Sequence, residues 1–138
     1  MHIPKKRRCA MSASRRALRG SVTVLFAILS EIALGHPKLV SSRPANNSEV
    51  AAPKRIELRF SEELVFPPSG GNLVMAWLPG RALHGPMKIP AEVSRGGDAK
   101  TVVIQPTQPL MAGSYRVDWQ AVSSDGHPVN GRIVFRVR

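Results

Sequence analysis

His36-Pro37 is the first place along the chain where residue types point to chemistry. As the first residue of a processed protein, His36 would offer an α-amine and an imidazole Nδ1 that close one chelate ring on a metal. Pro37 has no backbone N–H. The amide of position two therefore cannot join the ligand set, and the remaining ligands must come from elsewhere in the fold. Asp125-Gly126-His127 offers such ligands. In an extended segment, residues two apart point the same way, and Gly126 permits a tight local path. Imidazole and carboxylate together suit Cu(II), Zn(II) or Ni(II). A third group is Met75, His84 and Met87, the last two in the short run His84-Gly85-Pro86-Met87. Thioether sulfur is a soft donor and suits Cu(I). Each group also has a plainer reading: a frayed end, a polar Asp-Gly turn, and a core methionine in an apolar strand.

The His36 chelate depends on processing. Residues 1–35 have a basic start, an apolar run over 22–29 and the sequence Ile32-Ala33-Leu34-Gly35, which reads as a secretory signal cleaved after Gly35. Ser14-Arg15-Arg16-Ala17-Leu18 has a twin-arginine look within what otherwise reads as an ordinary leader, and Met11 offers a later start. Either route and either start leaves the same His36 end. The apolar run is short and interrupted by Ser30 and Glu31, so it is a poor membrane span. The mature protein is expected to be soluble in an export compartment, with a bacterial periplasm the best match.

Removing the leader changes the composition. Residues 1–35 carry seven Lys/Arg and one Glu, so the net charge of +11 falls to about +5 for residues 36–138. More than half of the net positive charge is then targeting signal, and no helical basic stripe supports a nucleic-acid partner. The sole cysteine, Cys9, lies in the leader. The remaining domain must hold together by packing, without a disulfide or a thiol ligand. A chain of this size fits one domain with one core.

The elements that must position these groups read as short strands. Residues 54–60 alternate apolar and charged side chains, a half-buried strand signal. Residues 114–122 do the same, with Tyr115, Val117, Trp119 and Ala121 on one face, and Ile133, Phe135 and Val137 alternate near the end. Residues 73–78 and 101–105 are denser apolar runs, and 38–42 and 88–93 are weaker strand candidates. Turn signals separate them at 67–71, 79–80, 95–98 and 105–113. About seven short strands and no long helix predict an all-β antiparallel sandwich or barrel. The sequence contains no Gly-x-Ser-x-Gly elbow, phosphate-binding glycine loop or Cys-x-x-Cys. Nothing nominates a nucleophile with a base and an orienting acid.

Taken together, the residues resemble the CopC family of periplasmic copper-binding proteins. The resemblance runs from His36-Pro37-Lys38-Leu39-Val40-Ser41-Ser42 through Pro44-Ala45, Ile56-Glu57-Leu58-Arg59-Phe60-Ser61-Glu62 and Tyr115-Arg116-Val117-Asp118-Trp119. It continues through Ala121-Val122-Ser123-Ser124-Asp125-Gly126-His127-Pro128 to Gly131 and Phe135. It implies a single small Greek-key β-sandwich or barrel, Ig-like or cupredoxin-like, over residues 36–138. It also implies a Cu(II) site in which the family's amino-terminal histidine falls on His36 and its aspartate and histidine on Asp125 and His127. Glu62 matches a carboxylate associated with that site. Some family members add a methionine-rich Cu(I) loop. Here Met75, His84 and Met87 fit that pattern, while Leu78 and Arg81 stand where further methionines would be and an extra residue precedes His84. The resemblance implies a monomer that sequesters or hands over copper, with a CopD-like inner-membrane transporter as a partner. Two other classes share the same histidines: a copper-dependent oxidative enzyme with a histidine-brace site, and a metal-free secreted interaction module. A carboxylate ligand at Asp125 disfavours the first, as does the scarcity of aromatics for a substrate platform, with one Tyr and two Trp in the chain.

Overall fold

The computed structural model describes residues 35–81 and 84–138. The leader assigned to residues 1–35 lies, apart from Gly35, outside them. The described residues form nine strands: β1 (Leu39–Arg43), β2 (Ser48–Val50), β3 (Ile56–Phe60), β4 (Gly70–Trp77), β5 (Met87–Lys88), β6 (Ala91–Arg95), β7 (Thr101–Pro106), β8 (Gly113–Val122) and β9 (Pro128–Val137). They make a four-stranded sheet in the order β1-β3-β7-β6 and a five-stranded sheet in the order β2-β9-β8-β4-β5. The all-β sandwich expected from the strand pattern is what the chain adopts.

The core lies where the alternation places it. Ile56, Leu58 and Phe60 of β3 face Val102 and Ile104 of β7 on one sheet, and Tyr115, Val117, Trp119, Ala121, Ile133 and Phe135 line the other. Phe60 meets Trp119 edge-on across the sandwich with ring centroids 5.1 Å apart, and Tyr115 stacks on Phe135 at 5.6 Å. Such offset and edge-to-face pairs stabilise beyond simple burial. Burial of apolar surface on both inner faces supplies the cohesion that a disulfide would otherwise provide.

Three details depart from the sequence expectation. β2 is an additional strand of three residues, and it pairs parallel to β9, so the sandwich is not wholly antiparallel. The run 88–93 divides at Ile89-Pro90 into β5 and β6, which belong to different sheets. Pro90 lacks the N–H a continuing ladder would need. β4 begins at Gly70, inside the predicted turn at 67–71, because Gly70 and Gly71 pair with Gln120 and Trp119 of β8.

Candidate metal centre

The segment before β1 is not a loose end. Pro37 is fully buried. The Lys38 N–H donates to Ser61 Oγ at 3.0 Å, and the Ser61 N–H donates back to the Lys38 carbonyl at 2.9 Å. Ser61 directly follows β3. This reciprocal pair ties the chain, two residues after His36, to the end of the four-stranded sheet. The His36 imidazole remains exposed.

Asp125 and His127 come from the connection between β8 and β9. This connection is a turn and not the extended segment that spacing alone suggests. The Gly126 N–H donates to the Ser123 carbonyl at 3.0 Å, and Gly126 takes a φ of 78°. That left-handed value is favourable only without a Cβ. Asp125 Oδ1 accepts the His127 backbone N–H at 3.1 Å, an Asx-type closure of the turn. The same Oδ1 accepts the hydroxyl of the buried Ser123 at 2.9 Å. The turn, not strand alternation, therefore puts the carboxylate and the imidazole on one side. His127 Nδ1 lies 3.7 Å from Asp125 Oδ2, with the His127 side chain 73% exposed and that of Asp125 only 15%.

The structure brings these two segments together. One ligand atom from each of His36, Asp125 and His127 can be chosen so that all lie within 4.8 Å of one another. The two imidazole centroids are 5.7 Å apart with a 38° tilt. The Asp125 carboxyl is held below its ordinary range, first by the His127 N–H, then by the Ser123 hydroxyl, with burial opposing and the two histidines adding attraction. The cluster is thus two imidazoles and one ionised carboxylate at the protein surface. That nitrogen and oxygen set suits a borderline divalent transition metal and does not suit Mg²⁺ or Ca²⁺, which prefer all-oxygen shells. Glu62 is half-buried and is not part of this cluster. Its neighbour Ser61 makes the contact to the amino-terminal segment.

The methionine group is arranged differently. Met75 and Met87 are direct cross-strand partners on β4 and β5, and both line a cavity of about 410 Å³. His84 sits in the exposed connection between those strands and is not among the residues lining that cavity. Ser61 and Ser123, which fix the positions of the ligand-bearing segments, were not singled out by sequence reasoning. A serine two residues before an aspartate is a local hydrogen-bonding signal that would have found Ser123. Ser61 carries no such signal, because its partner is 23 residues away. Among the described residues, no helix is long and apolar enough to cross a membrane.

A family model, the CopC domain, matches residues 39–138. Copper resistance protein C of Pseudomonas syringae pv. tomato is 55% identical over 123 residues, covering 87% of this chain and 97% of that protein. Copper resistance protein C of Escherichia coli is 50% identical over 106 residues, covering 77% and 84%. The crystal structure of PcoC, a methionine-rich copper resistance protein from Escherichia coli, superposes with a TM-score of 0.69 at 48% identity, covering 75% of this chain and all of that one. CopC from Methylosinus trichosporium OB3b superposes with a TM-score of 0.62 at 28% identity, covering 74% and 93%. Three of these four relatives are named for copper resistance. The chain belongs to the CopC domain family.

Proposed function

We propose that this chain is a periplasmic copper-binding protein whose cargo is Cu(II), held by His36, Asp125 and His127. The observation that carries the reading is the convergence of these three ligand groups from two segments far apart in sequence. The names of its relatives supply the metal. The donor chemistry agrees, because Cu(II) stands highest among the first-row divalent ions for such a set. Residues 1–35 act as an export leader, and cleavage after Gly35 frees the His36 amine to complete the chelate. The working domain is 36–138, a monomer that sequesters copper for resistance or delivers it to a CopD-like membrane transporter. Glu62 has no place in the ligand set, and the Met75/Met87 cavity is a separate, softer environment.

The test is intact mass of the exported protein with Cu(II) present. It should begin at His36 and carry one Cu(II). His127→Ala should weaken Cu(II) binding by at least about 100-fold, since even outer-shell partners of a metal site are worth about 10–100-fold. Retention of wild-type affinity in that variant would place the metal elsewhere. Imidazole and amine must both be neutral to bind, so affinity should fall as pH is lowered.

A further inference from the structure

The outer faces of the two sheets differ in charge. On β8, alternation turns Tyr115, Val117 and Trp119 into the core and leaves Arg116 and Asp118 facing out. The strand register carries that outer face across the five-stranded sheet. Lys88, Arg116 and Val134 share one lateral row, with Trp77 and Arg136 in the row on one side of it and Asp118 and Arg132 in the row on the other. The strands of this face supply Lys88, Arg116, Arg132 and Arg136 against two carboxylates, Asp118 and the Glu49 that is aligned with Arg136 on β2. Asp118 is already held by Arg116 at 2.8 Å. Among the described residues, no carboxylate lies within 4.0 Å of Lys88, Arg132 or Arg136. The Arg136 guanidinium lies instead 5.8 Å from the centroid of the Trp77 ring, and Trp77 is 49% exposed. The outer face of the four-stranded sheet is balanced by contrast: Arg43 and Arg59 stand against Glu57 and Glu92, and Arg59 has Asp98 at 4.0 Å.

We infer that the outer face of the five-stranded sheet docks on the anionic headgroups of a phospholipid bilayer, so that the domain lies on the membrane and not in it. Cations spread over three adjacent rows of a sheet can meet a plane of phosphates without a cleft. The stems of Lys and Arg lie along apolar neighbours such as Val134 while their charged heads reach outward. An exposed tryptophan suits the same boundary, where indole rings settle at headgroup level. An acidic protein surface would match the cations, but the tryptophan favours the bilayer, which offers an apolar layer beneath its charges. The turn that carries Asp125 and His127 joins β8 to β9, two strands of this face, so docking holds the metal cluster beside the membrane. This inference rests on the reading of the chain as an exported carrier serving a membrane transporter, and adds the surface by which the carrier reaches it.

The experiment is co-sedimentation of the exported protein with vesicles of phosphatidylethanolamine and phosphatidylglycerol, beside vesicles of phosphatidylcholine alone. The protein should bind only the anionic vesicles, and more weakly as salt is raised. Arg132→Gln and Arg136→Gln should each weaken binding about fivefold. Arg59→Gln makes the same charge change on the other sheet and should alter binding by less than about twofold. Before copper is added, anionic vesicles should shift the tryptophan emission to shorter wavelength. Trp77→Phe should abolish that shift, because the other tryptophan, Trp119, is buried. No binding to anionic vesicles at low salt would overturn the inference and leave an acidic protein as the partner of this face. Equal losses in Arg59→Gln and Arg132→Gln, or bound protein whose emission does not move, would overturn it as well. Thermal unfolding of each variant separates lost docking from misfolding. A Cu(II) titration of the same sample keeps the two readings apart: intact Cu(II) binding without vesicle binding sinks this face alone.

Discussion

Asp125 has two carboxylate oxygens, and the turn occupies one of them. Oδ1 accepts both the Ser123 hydroxyl and the His127 N–H, while Oδ2 is the oxygen that faces His127 Nδ1. A metal bound here should therefore meet Asp125 through Oδ2 alone. Ser123→Ala removes one of the two bonds that set the carboxylate's orientation. Cu(II) affinity should fall on the order of tenfold, as for other outer-shell partners, with altered copper hyperfine coupling in the electron paramagnetic resonance spectrum, and Ser123→Thr should restore part of it. The pH behaviour tests the same point. Both bonds favour the ionised carboxyl, so their contribution to folding is complete above the ordinary aspartate value of about 3.9 and is lost as pH falls below it. Proton competition with copper above that value must then come from the nitrogen ligands. Ser123→Ala should lower affinity and so move copper release to higher pH, but should leave the slope of log affinity against pH unchanged there, and a changed slope would mean that Asp125 titrates in that range. The three ligands were legible in the sequence by donor type. Their convergence was not, because it depends on a contact between Lys38 and Ser61 and on a turn geometry that residue spacing does not report.

At the scale of elements, Gly131 shows how tightly the sandwich is built around Trp119. Gly131 pairs with Trp119 across β8 and β9. A Cβ on Gly131 would stand 2.2 Å from Trp119 Cζ2 and 2.7 Å from Cε2. The indole cannot yield freely, since it is buried and packed edge-on against Phe60. Gly131→Ala should destabilise the fold by about 1–3 kcal/mol, the usual cost of overpacking. For a domain of this size each kcal/mol lowers Tm by about 4–8 °C. A thermal melt followed by tryptophan fluorescence checks this, and an unchanged Tm would show that the ring has room to move. The sequence makes β3, β8 and the latter part of β9 legible because one face of each is buried, so alternation is strict. It conceals β2, whose three residues are too few to show a period and whose partner lies more than 80 residues away.

Across the whole molecule, the metal cluster joins the segment before β1 to the turn after β8, so it depends on where the amino-terminal end is fixed. Pro37 and the Lys38–Ser61 pair anchor the chain after His36 and not before it. Acetylation of the His36 amine should therefore leave the fold and its Tm intact. It would turn the free amine into an amide nitrogen, a poor ligand when no terminal amine anchors the metal beside it. The two imidazoles and the Asp125 carboxylate would remain, so Cu(II) should still bind but at least about tenfold more weakly. Its spectrum should show one fewer nitrogen, and less acid should be needed to displace it because fewer donors hold it. Equal affinity in the acetylated and free-amine proteins would remove the amine from the ligand set and leave a site made by side chains alone.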